Sequence, residues 1–313
     1  MLHKLSPHVP AIKSLLMRRF KHKSAWYIKI TLMVLSAMVM LSCATKHHEP
    51  YSEIIPPVRN IFEIEKRLLR ADSLSHHISM VEIGRIHYDN DSFPIWMVSY
   101  KPFKQGLKKI LINGGVHGNE PAGSKYALQL IDAIADNPEK FDQFEIDIIP
   151  IVNPWGWVHD IRHNQEGIDI NRDFASFNSQ EAKIIERSLA GKSYDLMLDL
   201  HEDPRADGFY LWQYGLDNKT VSAQVVSRIQ SMGYPIEQNI SFIALKTKNG
   251  IIHAPMWGIK YTELTRQMSI ANYYRRNHSQ RVYTVETPTS LPMEDRLIMQ
   301  GTAVEMIIES IAE

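Results

Sequence analysis

Lys109-Ile110-Leu111-Ile112-Asn113-Gly114-Gly115-Val116-His117-Gly118-Asn119-Glu120-Pro121 is the stretch on which the fold turns. Residues 109–113 form a short apolar run, which predicts a strand. Gly114 and Gly115 let the backbone turn sharply. Pro121 then opens a helix with Ala127, Leu130, Ile131 and Ile134 on its inner face. Working outward, the same alternation continues. Ile61, Ile64, Leu68 and Leu69 mark one helical face within residues 59–72. Residues 80–86 and 94–100 read as strands around the turn Asp89-Asn90-Asp91. Further strands are expected over 144–152, 194–200 and 281–285. Further helices are expected over 179–189, with Asn178 and Glu181 at capping-box spacing, over 221–229 closed by Gly233, and over 292–311. Residues 245–278 show no clear period and carry Lys246, Lys248, Arg266, Arg275 and Arg276, as a cleft wall or as loops over the core. Strands alternating with helices predict the α/β class: one domain, a sheet with helices on both faces.

Composition agrees with a folded body. Of 313 residues, 44% are hydrophobic and 22% charged, which excludes intrinsic disorder. One cysteine excludes a disulfide framework and any Cys-rich zinc module. The zero net charge sums two unlike parts. Residues 1–43 hold seven Lys/Arg and no acid, so the rest carries 28 bases against 35 acids. An acidic body argues against nucleic acid as a partner.

Residues 1–43 read as an export signal with a lipobox. Basic residues end at Lys29, and residues 30–41 are apolar apart from Thr31 and Ser36. That run is short for crossing a hydrocarbon core of about 30 Å. Met40-Leu41-Ser42-Cys43 resembles the lipobox of bacterial lipoproteins, with Met40 an imperfect first position. Cys43 is then expected to be lipidated and to hold the chain on a membrane, facing the periplasm and with the outer membrane favoured. Residues 44–58, with three prolines and little apolar pattern, are expected to be a tether. Residues 59–313 are expected to be the catalytic domain.

The residues that carry chemistry stand where strands are expected to end. His117 and Glu120 lie three apart in the glycine turn, close enough to reach one ion. Asp199-Leu200-His201 ends the strand over 194–200, and strand ends are where open α/β sheets place ligands. Two imidazoles and one carboxylate make a three-ligand zinc site with a fourth position open. Asn153-Pro154, Arg162 and Asn171-Arg172 follow in a polar stretch. Fixed guanidiniums beside an ion can stabilise an oxyanion or hold a carboxylate. Glu286, at the end of the last strand, can act as an acid–base group. Asp199 is a candidate to orient a zinc-binding imidazole. Glu202 and Asp203 are expected as rim charges that tune substrate choice.

In this order, the pieces resemble the zinc carboxypeptidase family, the carboxypeptidase A-like metallopeptidases, over about residues 78–311. The stretch 161–172 looks most like murein peptide amidases. His117-Gly118-Asn119-Glu120 and Asn153-Pro154 are also similar to the succinylglutamate desuccinylase and aspartoacylase branch. The resemblance implies a mixed, twisted sheet of about eight strands. It implies one zinc ion per chain, bound by His117, Glu120 and His201. Arg162 would polarise the scissile carbonyl, and Asn171 and Arg172 would hold the substrate's terminal carboxylate. Glu286 would be general base, then acid. Trp155-Gly156 stands where family members often carry Asp-Gly. Tyr261, Tyr273, Tyr274 and Tyr283 are candidates for the tyrosine that closes over substrate.

The expected activity is hydrolysis of an amide next to a free carboxylate. The export signal favours a periplasmic carboxypeptidase or murein peptide amidase acting on peptides or muropeptides. The alternatives are an N-acyl amino acid deacylase and, from a different class, a catalytically inactive peptide-binding lipoprotein. An inactive member is expected to lack a ligand or Glu286, and this sequence has them all.

Overall fold

A computed structural model describes residues 48–312, apart from 53–54, 89–90, 216–218 and 243–244. Residues 1–43, expected to be an export signal with a lipobox ending at Cys43, and the turn positions Asp89 and Asn90 lie outside the described residues. Among the described residues, no helix is long and apolar enough to cross a membrane.

The apolar run after Lys108 is strand β3 (Lys108–Gly114). Its side chains alternate between two buried clusters. Ile110 and Ile112 enter one, and Leu111 enters the other. All three are 0% exposed, so truncating any of them to alanine costs about 2–5 kcal/mol. Such two-sided burial is what a central strand requires.

Around β3 stand β1 (Ile78–His87), β2 (Ser92–Tyr100), β4 (Phe144–Ile149), β5 (Leu196–Asp203), β6 (Tyr210–Gly215), β9 (Ile251–Ala254) and β10 (Arg281–Pro288). They form one eight-stranded sheet in the order β1-β2-β4-β3-β5-β10-β6-β9. The central strands β4, β3, β5 and β10 run parallel. The pairings β1–β2, β2–β4 and β10–β6 are antiparallel, so the sheet is mixed. A separate two-stranded ribbon joins β7 (Ser241–Phe242) and β8 (Leu245–Lys246).

Helices cover both faces. Residues of α1 (Ile61–Leu74), α2 (Pro121–Asp136), α5 (Lys219–Ser231) and α8 (Met293–Glu309) share the cluster of Ile110 and Ile112. Residues of α4 (Gln180–Leu189), α6 (Met256–Leu264) and α7 (Ile270–Asn277) share that of Leu111. A short helix α3 (Pro154–His159) follows β4.

Three local expectations need correction. Residues 48–58 are not a free tether along their described part. His48 N donates to Gly167 O at 3.1 Å and Tyr51 N to Gln165 O at 2.9 Å. Val58 N and Arg59 N both donate to Val158 O, at 2.8 and 3.0 Å. Tyr51 packs on Trp155, which turns this stretch into a strap. Secondly, the Asn178/Glu181 capping box does not form. Ser179 caps α4 by accepting from Ala182 N, and Glu181 is buried instead. Thirdly, the unpatterned stretch 245–278 folds into β8, β9, α6 and α7.

Candidate active site

The parallel strands β3, β5 and β10 point their C-terminal ends to one edge of the sheet. His117 and Glu120 lie just beyond β3, in the turn before α2. His201 lies near the end of β5 and pairs across the ladder with Glu286 on β10. Three distant segments thus meet at one edge.

His117, Glu120 and His201 are 3%, 3% and 2% exposed, and one ligand atom of each lies within 4.8 Å of the others. His117 Nδ1 is 2.7 Å from Glu120 Oε1, and His201 Nδ1 is 2.7 Å from Glu120 Oε2. His117 Nδ1 nevertheless makes no hydrogen bond. A buried polar atom of this kind needs a partner. Zinc–ligand bonds of about 2.0–2.2 Å fit three donors converging in this way. The donor set and the unbonded nitrogen therefore suit a zinc ion.

The far side of each imidazole is also occupied. Asp169 Oδ1 lies 3.1 Å from His117 Nε2, and Asp199 Oδ2 lies 3.0 Å from His201 Nε2. Asn113 Nδ2, at the end of β3, donates to the other Asp199 oxygen at 2.7 Å. A carboxylate on Nε2 fixes the proton there and leaves Nδ1 free for an ion.

Glu120 holds the N-cap position of α2 but does not cap it. Glu202 takes that task, accepting from Ala122 N at 2.6 Å, so the Glu120 carboxylate stays free to face the imidazoles. Glu202 is 2% exposed and paired with Arg296, and Asp203 is 4% exposed and bound by Arg205 and the Tyr210 hydroxyl. Both were expected as rim charges. Both are buried instead, Glu202 against Arg296, 94 residues away, and Asp203 against the nearby Arg205 and Tyr210.

Arg162 bridges the site. Its Nη1 donates to Glu120 Oε1 at 3.1 Å, and its Nη2 to Asp169 Oδ2 at 3.0 Å. Asn171 Nδ2 lies 3.4 Å from His201 Nε2, and Asn171 Oδ1 accepts from Ile270 N. Arg172 is exposed and its Nη1 donates to the Asn171 carbonyl at 2.7 Å. Of the four candidate tyrosines, Tyr273, Tyr274 and Tyr283 are buried in the core. Tyr261, on α6, remains.

Charge at the site follows from burial and neighbours. Burial raises the Glu120 carboxyl, but His117 and His201 outweigh it and hold the group below the usual carboxylate range. Burial lowers His201, but Asp199 and Glu120 outweigh that and raise it well above the ordinary imidazole value. Burial lifts the Glu286 carboxyl well above its usual range. His201 opposes this, while Glu120, Asp203 and Asp199 reinforce it. A carboxyl so placed can hold or release a proton, as general acid–base work requires.

Sequence reading assigned no role to Asp169 or Arg59. Asp169 stands two residues before Asn171 in the motif, so its proximity to the site was readable. Arg59 left no local signal.

Comparison with known proteins agrees with this geometry. Residues 106–241 match the family model of the succinylglutamate desuccinylase/aspartoacylase catalytic domain. Carboxypeptidase 2 of Trichophyton rubrum is 29% identical over 148 residues, covering 44% of this chain and 27% of that protein. Carboxypeptidase SOL1 of Arabidopsis thaliana is 32% identical over 94 residues, covering 27% of this chain and 19% of that protein. The chain thus spans about a quarter or less of these curated relatives. The solved carboxypeptidase A of Helicoverpa armigera superposes with a TM-score of 0.61 at 15% identity, over 90% of this chain and 81% of its own. A metallo-carboxypeptidase of Burkholderia cenocepacia gives 0.59 at 16% identity, over 81% and 69%. The fold is therefore that of these carboxypeptidases, and the sequence match to the succinylglutamate desuccinylase/aspartoacylase catalytic domain covers residues 106–241.

Proposed function

From this kinship in fold and sequence, we propose that the chain is a zinc-dependent hydrolase that cleaves an amide bond beside a free carboxylate. The observation that carries the reading is the convergence of His117, Glu120 and His201 with Glu286 on the adjoining strand.

A zinc ion bound there would polarise a carbonyl and make water a stronger nucleophile at neutral pH. The chain's own groups supply the rest. Glu286 takes a proton from the attacking water and passes it to the leaving nitrogen. Arg162 offers donors to the oxyanion that develops on the carbonyl. Asn171 and Arg172 bind the substrate's free carboxylate and set its distance from the ion. Asp169 and Asp199 keep both imidazoles in the zinc-binding orientation.

Within that class, the preferred substrates are peptides or muropeptides of the periplasm, with the protein held on a membrane through lipidated Cys43. The basic, apolar N-terminal stretch and the lipobox support this part of the reading. A second reading, N-acyl amino acid deacylation, is favoured by the desuccinylase/aspartoacylase match over residues 106–241. Incubating the purified protein with muropeptides, ordinary dipeptides and N-acyl amino acids, and identifying the bond cut, separates the two. Cleavage of N-acyl amino acids alone would replace the first reading by the second. A zinc-loaded protein that cuts none of them would leave a binding protein.

A further inference from the structure

The strap does more than run along the surface. Arg59 Nη1 donates to the Gly118 carbonyl at 3.1 Å and to the Trp157 carbonyl at 2.6 Å. Its Nη2 pairs with Asp160, and its guanidinium lies over the Trp157 ring, 5.4 Å from the centroid. The side chain is only 19% exposed. Gly118 stands between His117 and Glu120. Within the turn, a single backbone bond joins those two residues, Glu120 N to His117 O at 3.2 Å. A Cβ on Gly118 would fall 1.9 Å from the Gly156 carbonyl carbon, so the turn rests directly on the backbone of α3. The same helix supports the segment bearing Arg162, because Ile161 N donates to Gly156 O at 2.9 Å. One guanidinium therefore ties the strap, the turn that carries two ligands, and the end of α3.

We propose that Arg59, at the end of the strap, is a positioning residue for the ligand turn. The inference rests on the zinc reading given above. Arg59 touches neither the ion nor the substrate. It fixes the direction of the Gly118 peptide, and through it the spacing of the His117 and Glu120 side chains. Lysine cannot replace it fully, since three acceptors in different directions match a planar fork and not a point charge.

The experiment compares zinc affinity, by competition with a chelator, in the wild type, Arg59→Met, Arg59→Lys and Asn60→Ala. Asn60 caps α1 by accepting from Phe62 N at 3.0 Å. Its loss lowers thermal stability in the same region and serves as the structural control. The expected result is zinc binding about 10-fold weaker in Arg59→Met. Arg59→Lys should fall between, and Asn60→Ala should stay within twofold of wild type. The cobalt-substituted Arg59→Met protein should also show an altered visible spectrum. Unchanged affinity in folded Arg59→Met, or equal weakening in Asn60→Ala, overturns the proposal. If Arg59→Met does not fold, Arg59→Lys against Asn60→Ala decides on the same criterion. A wild type that binds no zinc overturns the zinc reading, and this proposal with it.

Discussion

The Asp199 carboxylate lies 3.0 Å from His201 Nε2, with both groups buried and Asn113 holding the second carboxylate oxygen. That contact leaves Nδ1 as the nitrogen that faces Glu120. Replacing Asp199 by Asn lets the amide present either an oxygen or an N–H to the ring, so the tautomer is no longer fixed. Zinc affinity should fall by about 10–100-fold. Competition titration checks it, and an affinity equal to wild type would show that Asp199 serves only the sheet edge.

Glu286→Gln should keep zinc and lose at least about 100-fold in kcat, the usual size of an acid–base contribution. Metal content and turnover measured on the same sample separate the two effects. Full activity in this variant would remove the assigned mechanism.

Arg172→Ala should raise KM most for substrates with a free terminal carboxylate, since Arg172 is exposed and its Nη1 donates to its neighbour's carbonyl. Arg162→Ala should act mainly on kcat, because its guanidinium lies against Glu120 and Asp169. An equal KM rise for amidated peptides in Arg172→Ala would count against carboxylate binding by that residue.

Glu181 predicts a pH dependence of stability outside the catalytic centre. It is fully buried and accepts from Asn164 Nδ2 and the Tyr88 hydroxyl, each at 3.0 Å. Burial pushes its carboxyl up to about 7, from 4.5. The folded state therefore binds the proton more tightly than the unfolded state. Its stabilising contribution is complete below about 4.5 and is lost as pH rises through about 7. Glu181→Gln should flatten that decline, by roughly 3 kcal/mol at most between pH 4.5 and 8. Urea unfolding across this range measures it; parallel curves for the two proteins would show that Glu181 stays charged.

Much of this was readable in the sequence because the candidate site residues sit beside local signals. His117 follows a glycine turn, His201 ends an apolar run, and Glu286 precedes a proline two residues on. What escaped reading depends on distant partners. Glu202 looks solvent-exposed until Arg296, 94 residues away, covers it. The strap looked like a tether because His48, Tyr51 and Val58 hold it through backbone bonds, which leave no trace in residue identity. The N-cap of α4 falls one residue later than expected because Asn178 and Ser179 are both good caps, and Asp173 accepts from the backbone of both and from the Ser179 hydroxyl.

The most direct measurement is anomalous diffraction at the zinc absorption edge from crystals of zinc-loaded protein. A single peak should stand among His117 Nδ1, His201 Nδ1 and the Glu120 carboxylate, with Asp169 and Asp199 on the opposite ring nitrogens. No peak at that place, or a peak on the Nε2 side of either imidazole, would contradict the account.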